Sequence, residues 1–138
     1  TQISIIVIMV EIFKFSEKNT LILIYNGSLD KQTLDIVLQA FDIAIREFKG
    51  EVNVISSWSN ARLTDVSLIY PLAHYMTEHD CEFGKLYNHG FKGFIKLMYK
   101  TYLTLIPKKE KYFLIDEKLY AFCLNNGTPI PKQFTDYS

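Results

Sequence analysis

The sequence predicts one α/β domain with a mostly parallel sheet, an N-terminal hairpin and about four helices. Its 138 residues and 49% hydrophobic content suit a single compact domain, residues 1–138, with a real core. After the first two strand-like segments, strand and helix patterns alternate to the end of the chain. Such alternation calls for parallel strands joined by right-handed helical crossovers.

The hairpin is predicted over residues 11 to 25. Polar and apolar residues alternate in EIFKF, a turn-forming SEKN follows, and TLILIY is a β-rich run. Residues 1–8 have two interpretations, since they are either sequence upstream of a natural start at Met9 or an extension of the first strand. NGSLD is predicted to end the second strand, with Asp30 as the N-cap of the next element.

The first helix is the most regular of the chain, because its apolar residues recur at spacings of three and four up to Gly50, which suits a helix end. A buried-type strand, EVNVIS, a polar loop, SWSNAR, and a second helix are predicted next. Pro71 leaves two interpretations of that helix. It kinks a helix that begins at Asp65, or it occupies the favoured first position of one that begins near Tyr70.

The remaining elements are predicted in the order strand, helix, strand, helix. FGKLYN is a short strand, FIKLMYKTYLTLI is a helix ended by Pro107, and KYFLI is the last strand. DEKLYAFCLNN forms the closing helix, with Gly127 after its end. The tail over residues 126–138 contains two prolines and little apolar weight, and we expect it to be extended or mobile.

Charge and cysteine content exclude several classes of protein. Six basic and eleven acidic residues precede and include Glu82, whereas nine basic and four acidic residues follow it, so a net −5 is followed by a net +5. This split argues against nucleic acid as a partner but allows a local basic surface. Cys81 and Cys123 lie 42 residues apart without CxxC spacing, which argues against a disulfide scaffold or structural zinc. With no signal peptide or membrane span either, we expect a cytoplasmic protein.

Three stretches of the chain resemble a known family. LILIYNGSLDKQTLDIVL contains Gly27, Leu29 and Asp30 in a Gly-x-Leu-Asp turn before a helix, TDVSLI resembles an Asp-Ser-Ser-Gly segment, and KYFLIDEKLYAFCLNN resembles a final strand and helix. Together with the order of elements over about residues 11 to 125, these stretches resemble the STAS domain, in its SpoIIAA-like (STAS/SEC14-like) branch.

The resemblance implies a non-catalytic regulatory or binding domain. Its partner would be a protein or a small or lipid-like ligand, with recognition carried by residues 57–69, including Ser57, Trp58 and Asp65. Ser67 would take the place of the serine that partner kinases phosphorylate in this family. Its other interpretation is an ordinary first-turn residue of a helix capped by Asp65 or Thr64. Trp58 has two interpretations as well, a lid on the core or an anchor for a partner.

A basic stripe on the third helix supports an alternative function. Lys92, Lys96 and Lys100 recur every four residues, and an apolar set is predicted on the opposite side: Phe91, Phe94, Ile95, Met98, Tyr102 and Leu105. A basic amphipathic helix of this kind docks peripherally on an anionic membrane or an acidic partner, or it is simply a solvated face over a packed core.

Catalytic and metal-binding motifs are absent from the sequence. No GxSxG, P-loop or GxGxxG occurs, and His74, His79, Cys81 and His89 do not have the spacing of a zinc site, so neither cofactor nor metal is expected. A second alternative is a small enzyme with a dispersed site, for which His74, His79 and Asp65 are the candidate residues. The sequence leaves the oligomeric state open.

Overall fold

The computed structural model describes residues 2–7, 10–63 and 65–126. In these ranges the chain forms an α/β fold with a mostly parallel sheet and four α-helices, as predicted. The strands are β1 (Gln2–Val7), β2 (Val10–Phe15), β3 (Thr20–Leu29), β4 (Val52–Leu63), β5 (Phe83–His89) and β6 (Tyr112–Ile115). The helices are α1 (Lys31–Glu47), α2 (Ile69–Glu78), α3 (Gly93–Leu103) and α4 (Glu117–Asn126).

The sheet keeps its strands in the order of the chain, from β1 to β6. β1, β2 and β3 pair antiparallel, whereas β3, β4, β5 and β6 pair parallel. Each parallel connection passes through one helix, which is the crossover that a parallel pair requires. The carboxyl ends of β3 to β6 therefore lie along one edge of the sheet.

The predicted hairpin is confirmed as β2 and β3. Residues 2–7, however, form a strand of their own that pairs antiparallel with β2 from Gln2↔Phe15 to Val7↔Val10, instead of extending the first strand of the hairpin. Backbone pairing explains the difference, because β1 satisfies the outer hydrogen-bonding edge of β2.

Two predicted breaks are strands in the structure. The NGSLD segment lies in β3 up to Leu29, and the polar segment SWSNAR continues β4 to Leu63. The two extensions pair with each other in parallel register from Asn26↔Asn60 to Leu29↔Leu63, after an irregularity between Ile24 and Asn26. Polar side chains made both segments resemble loops, but pairing between the two backbones satisfies their hydrogen bonds whatever the side chains are.

The helix starts follow from capping. Asp30 caps α1 by accepting the backbone N–H of Thr33 at 2.8 Å, as predicted. A 3₁₀ turn, Val66–Leu68, precedes α2, which begins at Ile69. Pro71 therefore lies in the first turn, where its missing N–H leaves no hydrogen bond unmade. Thr64, the alternative cap, lies outside the described residues.

The sheet is covered unequally on its two faces. Helices α1, α2 and α3 pack on one face, and α4 packs on the other. The first core includes Val37, Phe41, Ala44, Ala73, Met76 and Tyr102 from its helices, and the second joins Ile22, Ile55 and Tyr87 to Tyr120 and Cys123 of α4. Because successive strand residues point to opposite faces, the neighbours Val54 and Ile55 of β4 belong to different cores.

The end of α4 and the lengths of the helices bear on the predicted tail and on membrane spans. Helix α4 ends at Asn126, and the remainder of the tail expected to be extended or mobile lies outside the described residues. None of the helices within the described ranges is both long and apolar enough to cross a membrane.

Candidate functional site

An apolar groove lies between the sheet and helices α2 and α3. Its cavity has a volume of about 90 Å³. A second cavity of about 60 Å³ lies beside it, below the start of α1. The two share five lining residues: Tyr25, Trp58, Leu63, Ile69 and Leu72. We call the two cavities together the groove; it lies towards the carboxyl ends of β3, β4 and β5, where ligands bind in open α/β folds.

Aromatic side chains form one wall of the groove. Trp58 stacks on Tyr25 with ring centroids 4.3 Å apart, and Phe91 lies 5.6 Å from Trp58. The Trp58 indole N–H donates to the Asn88 side-chain oxygen at 3.0 Å, which ties the middle of β4 to the end of β5. Trp58 is half-buried, so it covers the core while one side of its ring contributes to the groove.

The groove is electrically neutral at physiological pH in its larger cavity, whereas its smaller cavity has the Asp30 carboxylate in its lining. None of the described residues that line its larger cavity is Asp, Glu, Lys, Arg or His. Burial raises the pKa of Tyr25 and Tyr102 far above the ordinary value, and it raises the pKa of Tyr99 and Tyr112 to about 12. All four phenols therefore stay protonated near neutral pH, and the larger cavity is suited to neutral, largely apolar ligands.

The residues of the predicted recognition segment 57–69 are divided between three places. Trp58, Leu63 and Ile69 line the groove. Ser57 points to the opposite face of the sheet, where its hydroxyl contacts His89. Asp65 and Ser67 are both exposed at the entry to α2.

Asp65 and Ser67 form a local cap. The Asp65 carboxylate accepts the Ser67 hydroxyl at 2.6 Å and the Ser67 backbone N–H at 3.0 Å. These hydrogen bonds hold the pKa of Asp65 below its ordinary value, and the one from the hydroxyl contributes more than the one from the backbone. A phosphate on Ser67 would lose the hydroxyl bond and place two anionic groups together, which favours the capping role.

The predicted lysine stripe is exposed, but its surroundings differ from the prediction. Lys92, Lys96 and Lys100 all face solvent. Phe94 and Leu105, predicted on the apolar side, are 50% and 40% exposed, and Leu97 is 58% exposed. The core-facing residues of α3 are Ile95, Met98 and Tyr102. Helix α3 therefore has more apolar side chains than those that contact the sheet, and the exposed ones lie beside the lysines.

The candidate residues of a dispersed enzyme site do not form one cluster. The His74 ring contacts Glu78 at 2.9 Å, and the His79 ring contacts Glu82 at 2.7 Å, each pair lying close in sequence. Cys81 is exposed and Cys123 buried, and both are free thiols. Within the described part of the chain, no group of three or more His, Cys, Asp or Glu side chains could hold a metal ion.

Two elements of the site escaped sequence reasoning. Residues from α1, β5 and α3 line the groove, but only their common position at the carboxyl edge of the sheet relates them. His89 and Glu117 lie beside Ser57 on the other face. A usable signal existed for this pair, because His89 comes directly after one predicted parallel strand and Glu117 two residues after the end of the next, and the carboxyl ends of such strands meet at one edge.

Comparison with known proteins adds no relative. No protein-family model matches the chain, and a search of curated proteins finds no match to it. The resemblance to STAS domains therefore stays a prediction from the sequence stretches and the predicted order of elements.

Proposed function

We propose that this protein is a STAS-like binding domain whose groove takes a small, neutral, largely apolar ligand and thereby regulates a protein partner. The groove carries the proposal, since an apolar cavity at the carboxyl ends of parallel strands is the usual ligand site of such folds. The STAS-like order of strands and helices supports the assignment to a regulatory class.

The dimensions of the groove limit the ligand. An engineered cavity of about 150 Å³ accommodates benzene. The larger cavity here is about 90 Å³, and the smaller one, of about 60 Å³, shares five lining residues with it. A short aliphatic chain suits the larger cavity, and a small ring would need the space of both cavities; Ser56 and Asn88 in the lining offer hydrogen-bonding groups for a hydroxyl or carbonyl.

The partner surface would lie beside the groove entrance. Leu68 lines the smaller cavity, and its neighbours Val66 and Tyr70 are 42% and 55% exposed. A ligand that pushes on Ile69 or Leu72 from inside would displace the start of α2 and alter this exposed surface. Ser67 lies in the same turn, so the phosphorylation that the family resemblance implies for it would act on the same surface.

A nuclear magnetic resonance titration tests the groove. Trp58 is the single tryptophan, so its indole N–H gives one assigned reporter in the groove wall. Benzyl alcohol and cyclohexanol are the probes. We expect a saturable shift of the indole signal, because either ligand would lie against the indole ring.

A matched pair of variants provides the control. Ser56→Leu puts a larger side chain into the cavity, whereas Ser67→Leu makes the same change on the exposed turn. The first should lower the affinity for both probes at least tenfold, and the second should leave it unchanged. Absence of a saturable shift in the wild type, or equal affinity in the two variants, would refute the proposal.

A second candidate function is favoured by the outer surface of α3. Exposed Phe94 and Leu97 border Lys92, Lys96 and Lys100, and no acidic residue occurs between Phe83 and Lys109. Lysines beside exposed apolar side chains suit an anionic membrane surface. We propose peripheral membrane contact as the alternative use of this domain.

Vesicle co-sedimentation tests this alternative. Each lysine near an anionic bilayer contributes about 1 kcal/mol, so the triple change of Lys92, Lys96 and Lys100 to Gln should weaken binding roughly 100-fold. The control triple change of the exposed Lys31, Lys49 and Lys118 to Gln alters the net charge equally away from α3. Equal losses in both variants would show non-specific attraction and remove the alternative.

A further inference from the structure

A polar cluster lies on the face of the sheet opposite the groove. Ser57 ends the regular pairing of β4 with β5, where its register partner is His89, and Glu117 opens α4 directly after β6. The Ser57 hydroxyl oxygen is 3.1 Å from His89 Nδ1. The other ring nitrogen, Nε2, is 2.6 Å from a carboxylate oxygen of Glu117. Strands β4 and β5 and the start of α4 after β6 thus bring a hydroxyl, an imidazole and a carboxylate into hydrogen-bonding contact.

The hydrogen-bonding capacity of these groups determines where the protons lie. An ionised carboxylate only accepts hydrogen bonds, so His89 Nε2 carries a proton and donates a hydrogen bond to Glu117. In the neutral ring Nδ1 is then unprotonated and accepts the Ser57 hydroxyl. This is the proton arrangement of an activated serine, in which a base takes the hydroxyl proton and a carboxylate orients the base.

The imidazole is held in position by its surroundings. The Tyr120 ring stacks on it with centroids 4.3 Å apart and planes inclined by 2°. Ser59 lies beside both groups, with its hydroxyl oxygen 3.1 Å from that of Ser57 and 3.5 Å from His89 Nδ1, so Ser57 is the nearer hydroxyl to the base. A base fixed by stacking and by a carboxylate does not have to be ordered at the moment of reaction.

We propose that Ser57, His89 and Glu117 form a nucleophilic serine site for small acyl esters. Ser57 Oγ attacks the ester carbonyl carbon while its proton passes to His89 Nδ1. The ester C–O bond then breaks, and the departing alcohol takes that proton. Water subsequently hydrolyses the acyl-serine by the same route, which returns the proton and restores Ser57. This activity departs from the non-catalytic function that the sequence suggested.

The size of the acyl group follows from burial. Ser57 is 4% exposed and His89 6%, whereas the Glu117 side chain is 82% exposed. Solvent therefore reaches the cluster mainly past Glu117 and the half-buried Ser59. Acetyl esters should react, and longer acyl chains should react progressively more slowly.

Acylation by p-nitrophenyl acetate tests the site in the full chain. We expect release of nitrophenolate with one acetyl group on Ser57, located by peptide mass spectrometry. Ser57→Ala should abolish that adduct, and His89→Gln should slow acylation by about 100-fold or more, the usual contribution of a positioned base. Ser59→Ala is the matched control and should keep the adduct on Ser57.

Glu117 is a positioning residue whose exposure makes its test independent of folding. Glu117→Gln should slow acylation, by up to about 10⁴-fold if the carboxylate sets the tautomer of His89, Glu117→Asp should restore part of the rate, and both variants should keep the far-ultraviolet circular dichroism spectrum of the wild type. Acetylation elsewhere than on Ser57 would overturn the proposal. So would acylation of the His89→Gln and Glu117→Gln variants at the rate of the wild type.

Discussion

Two glycines allow the effect of backbone strain to be separated from that of close packing. Gly90 and Gly93 both have positive φ angles, +83° and +52°, which L side chains rarely adopt. A Cβ atom on Gly90 would lie 2.8 Å from the backbone nitrogen of Ser59 and 2.9 Å from its Cα, whereas one on Gly93 would meet nothing within 4 Å. Alanine at the two positions therefore tests the same strain with and without a clash.

The expected magnitudes follow from these distances. The left-handed conformation costs an L residue about 1–2 kcal/mol, and this is the whole expected loss for Gly93→Ala. At Gly90 the clash is with the backbone of β4, which must shift, and overpacking of this kind adds about 1–3 kcal/mol. Gly90→Ala should thus lower the free energy of unfolding by about 3–4 kcal/mol.

Urea unfolding followed by far-ultraviolet circular dichroism measures both variants. The predicted difference between them is about 2 kcal/mol, which is roughly a 30-fold change in the ratio of folded to unfolded protein. Equal losses would mean that the backbones do not approach closely at Ser59 and Gly90, and would refute the clash predicted for Gly90→Ala. A loss at Gly90 alone would instead refute the strain assigned to Gly93.

Three further predictions concern single side chains. Tyr87→Phe should leave the free energy of unfolding unchanged or raise it by about 1 kcal/mol in urea unfolding, because the buried hydroxyl has no hydrogen-bond partner among the described residues. Asp30→Ala should lower the urea midpoint at pH 7. This difference from wild type should close as the pH falls below 3.8, since the pKa of Asp30 is lowered in the fold by its hydrogen bonds from Thr33, and the ionised cap is lost only below that lowered value. A thiol reagent should titrate Cys81 in the native protein and Cys123 only after unfolding, because Cys123 is fully buried and burial raises its pKa to about 11; two reactive native thiols would contradict the packing of α4.

Local patterns predicted much of the fold. The spacing of apolar residues predicted α1, and the side chain of Asp30 predicted where it begins, because both signals act within a few residues along the chain. The alternation of strands with helices likewise predicted a mostly parallel sheet. The length of β4 was not predictable in this way, since its polar end is extended only because β3 pairs with it.

The sequence by itself determined the order of the elements from β2 onwards, the cap of α1 and the presence of a basic stripe on α3. Only the tertiary structure decided what those elements place together: Trp58 and Ser57 on opposite faces of the sheet, a groove on one side, and His89 and Glu117 beside Ser57 on the other. The reason is physical. Helical spacing and capping depend on near neighbours, whereas the partner of a side chain in a parallel sheet depends on the register between strands that are some 30 residues apart.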